Sequence, residues 1–303
     1  MGRIAEALKK AEEERAAAAG LSEVSAVGQE LVEGLASDRI AGVEVAADLG
    51  SFQTLADLED DDAYTSAADR SAWIGRVSPS LVALNGQDTI LVEQYRALRT
   101  RLASQNPRTA SRVLTITSSV AGEGKSVTTA NLAVVMAEVR HHRVLVLDAD
   151  FRHSSLAGLL AMAPKPGLVE VLQGKVTVEQ VVQRTPIPNL GVIAAGATKG
   201  VNPAELLSSK RAAAVFDDLR DRYSYVLVDT PPSCDLADAG IVGQLADGVV
   251  VVVRIGRTPQ PVVKRIVQTL QASQVNLIGC VLTGMDSATS RYGYYGYPTP
   301  GEE

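Results

Sequence analysis

From residue 112 onward, short unbroken apolar runs recur near 112–117, 143–148, 190–194, 224–229, 248–254 and 275–282, separated by stretches with helical spacing. Runs such as Val144–Leu147 and Val249–Val253 do not alternate with polar residues, so both of their faces must be covered. Strands of this kind, alternating with helices, predict an α/β fold: a parallel sheet with helices on both faces.

Upstream the pattern weakens. Asp88 or Thr89 is placed to cap a helix running to about Ser104, with Leu91, Tyr95, Leu98 and Leu102 on one face and Glu93, Arg96 and Arg99 on the other. Residues 3–19 are strong helix formers and Gly20 is a natural stop, which predicts an N-terminal helix over 1–20. Between Leu21 and Gln87, small residues mix with acidic clusters such as Glu59–Asp62 without sustained periodicity, the signature of a largely disordered acidic linker. The expected organisation is therefore a helix (1–20), a linker (21–87), one α/β domain (88–289) and a tail (290–303).

Charge supports that division. Residues 1–90 hold 17 acidic and 7 basic side chains, whereas residues 91–303 hold 18 and 22. No basic stripe with interleaved aromatics appears, which argues against a nucleic-acid partner. The two cysteines, Cys234 and Cys280, and the histidines His141, His142 and His153 have no metal-ligand spacing. No apolar stretch is long enough to span a bilayer, and the charged N-terminus is unlike a signal peptide. The chain is expected in the cytoplasm, with any membrane attachment supplied by a partner.

The chemistry concentrates where strands end. Residues 118–126, Ser-Ser-Val-Ala-Gly-Glu-Gly-Lys-Ser, join the run Val113–Ile116 to a helical pattern over Thr128–Val139. A strand feeding a glycine-rich turn aims backbone N–H groups and a helix N-terminus at a polyphosphate; Lys125 adds positive charge and Ser126 a hydroxyl for Mg²⁺. The phosphate-binding set read from this P-loop is Ser119, Gly122, Glu123, Gly124, Lys125, Ser126 and Val127, with Ser119 standing where the usual pattern has its first glycine. Two more strand ends carry acids: Val144–Asp148 followed by Asp150 and Arg152, and Tyr225–Asp229 followed by Thr-Pro-Pro. Ligands of parallel sheets bind at the carboxyl ends of strands. Asp148, Asp150 and Asp229 would therefore converge on the loop's phosphates, a concentration of negative charge that calls for a cation and implies Mg-ATP.

The C-terminal stretch Ser290–Glu303 packs Tyr292, Tyr294, Tyr295 and Tyr297 into six residues, with glycines and prolines that forbid a helix or a central strand. Beside a Mg-ATP site, an exposed ribbon of phenols has the chemistry of a phosphoacceptor.

Taken together, these motifs resemble the bacterial tyrosine kinases of capsular and exopolysaccharide synthesis over roughly residues 88–297. That family pairs a P-loop with a second motif of three apolar residues followed by Asp-x-Asp-x-Arg, a third acidic strand end and a C-terminal tyrosine cluster. Glu93-x-x-Arg96-x-x-Arg99 matches its oligomerisation motif, and Asn202–Ser209 is also similar. The resemblance implies that Lys125 and Ser126 hold phosphate and Mg²⁺, that Asp148 orients or deprotonates the acceptor, and that Asp150 and Asp229 serve the metal. It further implies a ring-like homo-oligomer in which Glu93, Arg96 and Arg99 face a neighbour, whose tail is phosphorylated in trans. Many members carry transmembrane helices; this chain resembles the split arrangement, in which a separate membrane protein supplies the activator. Thr283 stands where the family leads one to expect Asn near the adenine. The competing readings are a Min/Par-type partitioning ATPase, whose early signature lysine is Val120 here, and a nucleotide-gated scaffold of the polysaccharide machinery.

Overall fold

The structure, a computed structural model, describes residues 66–86, 89–105, 112–233 and 237–285. The expected helix over 1–20, the first part of the linker, Cys234 and the tyrosine tail lie outside the described residues.

Seven strands form one sheet: β1 (Arg112–Ser118), β2 (Val144–Asp148), β3 (Gln183–Arg184), β4 (Leu190–Ile193), β5 (Tyr225–Asp229), β6 (Gly248–Arg254) and β7 (Leu277–Thr283), in the order β3-β4-β2-β5-β1-β6-β7. All pairings are parallel except that of β3 with β4. The six expected strands are present. The short antiparallel edge strand β3 is an addition that its two residues did not signal.

Side chains of each strand alternate between two cores. Leu114 and Ile116 of β1, Val144 and Val146 of β2 and Leu227 of β5 enter one, while Val113, Leu145, Leu147, Val226 and Val228 enter the other. This explains the unbroken apolar runs, because each neighbouring position needs burial on its own face. The second core is closed by α6 (Leu168–Leu172) and α9 (Lys210–Arg222), which contribute Leu168, Val171, Phe216 and Leu219, and by Val242 of α10 (Asp238–Leu245).

The first core is built around α4 (Lys125–Ala137), in which every residue from Thr128 to Ala137 is buried. A helix buried all round needs cover on the side away from the sheet. That cover comes from α3 (Thr89–Ser104) and from the segment holding α1 (Ala67–Ile74) and α2 (Val82–Asn85). Trp73 is buried and its Nε1–H donates to the Leu160 carbonyl at 2.8 Å. Leu81 is fully buried. Asn131 of α4 accepts the Ala83 N–H at 3.0 Å and donates to the Ser80 carbonyl at 3.0 Å. The linker expected over 21–87 is thus corrected for residues 66–86, which are part of the folded domain. Their few apolar residues do not fall at one period, but each fills a place on the outer side of α4.

Helix α3 also sits slightly differently from its expected face. Val92 and Leu102 are buried, with Tyr95 and Leu98 packed beside them, whereas Leu91 is 39% exposed. The apolar stripe is turned by one residue at its first turn, which directs Arg99 toward α4. Arg96 and Arg99 are accordingly not a freely solvated row: both pair with Glu138, at 2.6 and 2.9 Å, and Arg99 also donates to the Val135 carbonyl at 2.6 Å. Glu93 pairs with Arg96 at 2.6 Å.

Trp73→Ala removes both the indole contact and its hydrogen bond. It is expected to lower stability by about 3–5 kcal/mol, read as a fall in the thermal unfolding midpoint. An unchanged midpoint would show that the segment does not dock.

Candidate functional site

Strand β1 ends at Ser118 and the chain turns through Ser119–Gly124 into α4. Gly122 and Gly124 have φ of +82° and +93°, a region other residues enter at a cost. Gly124 caps α4 without any side-chain hydrogen bond, so the N–H groups of the first turn are left for a ligand. Ser119 is fully buried and its hydroxyl has no partner among the described residues.

Glu123 lies between the two glycines, and its side chain turns away from where phosphate would sit. It is 1% exposed, accepting the Val120 N–H at 2.8 Å, the Arg254 N–H at 3.1 Å and the Thr258 hydroxyl. Thr283 donates to the Glu123 carbonyl at 2.7 Å. The expected phosphate role of the Glu123 side chain is therefore corrected to one of fastening the loop to the ends of β6 and β7. Val127 is half-buried, and its carbonyl accepts from Asn131 at 2.9 Å.

The three predicted acids do meet at the head of α4. Lys125 Nζ lies 2.8 Å from Asp150 and 3.4 Å from Asp229, and Ser126 donates to Asp229 at 2.5 Å. Burial opposes the charge on Lys125, but Asp229 and Asp150 outweigh it and raise its pKa. The sheet register explains the convergence, since Asp148 and Asp229 are direct partners on adjacent strands. Asp148 is fully buried, accepting backbone N–H bonds from Asp150 at 3.1 Å and Leu156 at 3.3 Å. Burial, with the charge of Asp229 added, pushes its carboxyl up to about 7. Burial likewise pushes Asp229 up to about 6, with Lys125 and Ser126 pulling the other way. Asp150 spends its second oxygen on the N–H groups of Arg152 and His153, at 3.2 and 2.9 Å. In this arrangement the cation among the acids is the Lys125 ammonium, and the described residues form no ready-made cage of three metal-ligating side chains.

Residues 111–278 match the family described as an AAA domain. The chain is 36% identical over 222 residues to the tyrosine-protein kinase YwqD of Bacillus subtilis, an alignment that covers 73% of this chain and 93% of that one. The chain belongs to the bacterial tyrosine-protein kinase family. It is also 37% identical over 214 residues to a putative tyrosine-protein kinase EpsB of Ralstonia solanacearum, covering 71% of this chain but only 28% of that much longer protein. Among solved structures, the kinase domain of the Escherichia coli tyrosine kinase Etk superposes with a TM-score of 0.66 at 33% identity, covering 73% of this chain and 86% of that one. The P-loop and the acidic strand ends described above are thus those of a bacterial tyrosine-protein kinase.

Sequence reasoning passed over Arg254, Thr258, Thr283, Glu138 and Asp238. Arg254 and Thr283 are the last residues of their strands, and the strand-end argument that found Asp148 and Asp229 would have found them too. Asp238 begins α10, is 1% exposed and pairs with Arg152 at 2.9 Å; it carries no local signal. Cys280 is a half-buried free thiol on β7.

The shift at Asp148 gives a pH test on the protein without nucleotide. A carboxyl whose folded pKa is raised contributes its stabilisation below the unfolded value near 4 and loses it as pH rises through about 7. Asp148→Asn cannot ionise. Between pH 5 and pH 8 its unfolding free energy is expected to improve relative to wild type by about 2 kcal/mol, at roughly 1.4 kcal/mol per pKa unit, measured by urea titration at both pH values. Parallel pH profiles would contradict the shift.

Proposed function

We propose that this chain is an ATP-dependent protein-tyrosine kinase that phosphorylates, in trans, the C-terminal tyrosines Tyr292, Tyr294, Tyr295 and Tyr297 of a neighbouring copy, and so regulates polymerisation and export of an exopolysaccharide or capsule. The observation that carries the reading is the placing of Lys125 and Ser126 against Asp150 and Asp229 at the head of α4, in a chain of the tyrosine-kinase family.

The residues present fit magnesium and ATP. Asp229 keeps one buried oxygen without a partner among the described residues, and its other oxygen accepts from Ser126. Oxygen donors of this kind suit Mg²⁺. Ser126, Asp150 and Asp229 would hold the ion, which with ATP would supply a phosphoryl group whose developing charge is neutralised. Lys125 must exchange its carboxylate partners for phosphate oxygens. The open first turn of α4 and the backbone of Gly122–Gly124 receive the remaining phosphate charge.

Asp148 has a proton affinity matched to neutral pH, which suits a group that orients a phenol and takes its proton as charge develops on the oxygen. Its two backbone hydrogen bonds fix it at the strand end. A free phenol has a pKa of about 10, so placement of the tail supplies much of the rate. Each phosphate added to the tail brings a charge of roughly −1.5 to −2. A site rich in carboxylates then repels its product, and an assembly of copies loosens as the tails are modified. Glu93, Arg96 and Arg99 form the face toward the neighbour. No helix among the described residues is long and apolar enough to cross a membrane. A cytoplasmic chain recruited to the membrane by a separate activator fits the proposed role.

Purified chain incubated with Mg-ATP is expected to accumulate phosphotyrosine, with the activator segment added where the chain alone is slow. Lys125→Met should reduce the signal at least about 100-fold, by loss of charge stabilisation at the transferred phosphoryl. Changing the four tail tyrosines to Phe should abolish autophosphorylation while leaving ATP binding intact. ATP hydrolysis without phosphotyrosine would instead favour the partitioning-type or scaffold reading. Arg96→Ala with Arg99→Ala should shift sedimentation toward monomer and slow autophosphorylation. Unchanged sedimentation would remove the interface assignment.

A further inference from the structure

Two arginines stand beside the phosphate loop with no role in the account so far. Arg254 ends β6 and Arg257 follows it in the next turn; both are exposed. Arg254 Nη1 lies 3.5 Å and Arg257 Nη1 3.4 Å from the Gly122 carbonyl, long contacts that leave their other N–H groups available. Neither pairs with a carboxylate among the described residues.

Their placement is specified by glycines. A Cβ at Gly122 would come within 3.0 Å of Arg257 Nη1, and one at Gly284 within 2.9 Å of Arg254 Cγ. Both glycines have positive φ, +82° and +75°. The backbone segment carrying the arginines is held to the loop by Glu123, which accepts from the Arg254 N–H and the Thr258 hydroxyl. Two guanidinium groups are thus seated on the rim of the phosphate loop by close backbone approach and a buried carboxylate.

Charge balance says what they are for. The head of α4 carries Asp148, Asp150 and Asp229 against one lysine, and Arg152 is already taken by Asp238. A magnesium-bound triphosphate adds further negative charge to a site that is already acidic. The cations within reach of the loop that remain uncommitted are Arg254 and Arg257.

We propose that Arg254 and Arg257 form a second, cationic wall of the nucleotide site that binds the polyphosphate of ATP from the side opposite Asp150 and Asp229. This rests on the Mg-ATP reading above. Guanidinium groups suit the task because their fork of donors matches phosphate oxygens.

The test uses the full chain and titrates ATP, ADP and AMP with Mg²⁺ at fixed ionic strength, for wild type and for Arg254→Gln/Arg257→Gln. The double variant is expected to bind ATP about tenfold or more weakly, ADP less affected and AMP least, since loss of charge-assisted hydrogen bonds scales with the phosphates contacted. Arg254→Lys/Arg257→Lys should recover part of the ATP affinity. An unfolding midpoint without nucleotide close to that of wild type would show that the loop is intact. Equal weakening of all three nucleotides would mean the arginines only support the loop, and would overturn the proposal. So would unchanged ATP affinity with weaker binding of a tyrosine-phosphorylated tail peptide, which would assign them to the product. A wild-type chain that binds no ATP would overturn the functional reading itself, not this refinement alone.

Discussion

The ammonium of Lys125, held between Asp150 and Asp229, is the interaction on which the site depends. Sheet register sets Asp148 directly beside Asp229, and all three acids are within 1% of complete burial. Carboxylates so close and so dry cannot all be charged without a cation among them. The protein answers with one flexible lysine and with protonation, since Asp148 and Asp229 are both pushed up toward neutral pH. The same tension prepares the site for a divalent ion. A metal entering here meets acids that already lack full compensation, and it frees Lys125 for the phosphates.

Helix α4 carries that constraint through the domain. Its first turn holds Lys125 and Ser126, and its last is gripped by α3 through Arg99 at the Val135 carbonyl and Arg96 and Arg99 at Glu138. A carboxylate at a helix C-terminus opposes the helix dipole, so Glu138 is tolerated there because two guanidinium groups surround it. The side chains expected to meet a neighbouring subunit are therefore also those that fix the far end of the phosphate-loop helix. Between the two ends, Asn131 ties α4 to the segment 80–83. One rigid element is thus contacted at its head by the chemistry, at its middle by the upstream segment and at its tail by the proposed interface.

Much of this was legible in the residues. Unbroken apolar runs located the six main strands, and the polar residue closing a run located Asp148 and Asp229, because parallel strands bring their carboxyl ends to one edge. The same logic stopped short at Arg254 and Thr283, which close β6 and β7 but look like ordinary strand-to-loop transitions. Glu123 was misassigned because its neighbours Gly122, Gly124 and Lys125 belong to the phosphate motif; only tertiary contacts show that its carboxylate points toward Thr258. Residues 66–86 were unreadable for a different reason. Trp73, Val77 and Leu81 follow no single period, and their burial is dictated by the uncovered side of α4 rather than by any regular face of their own. A stronger hint was available in α4 itself, whose run from Leu132 to Ala137 is too apolar for a helix covered on one side only.

The fastening of the loop also explains why Ser119 can replace the usual first glycine. Positive φ is needed at Gly122 and Gly124, whereas Ser119 does not take one. A side chain at 119 therefore costs no backbone strain; it must only fit, and a buried hydroxymethyl group does. The restriction that a glycine-rich loop relieves by flexibility is met here by ties from outside. Glu123 binds the N–H of Val120 within the loop and that of Arg254 across it, while Thr283 holds the Glu123 carbonyl. With the ends of β6 and β7 fixing the turn, the loop does not depend on conformational freedom at its first position. The same ties bring Arg254 and Arg257 to its rim, so the feature that permits the serine is also the one that places additional positive charge where a polyphosphate would lie.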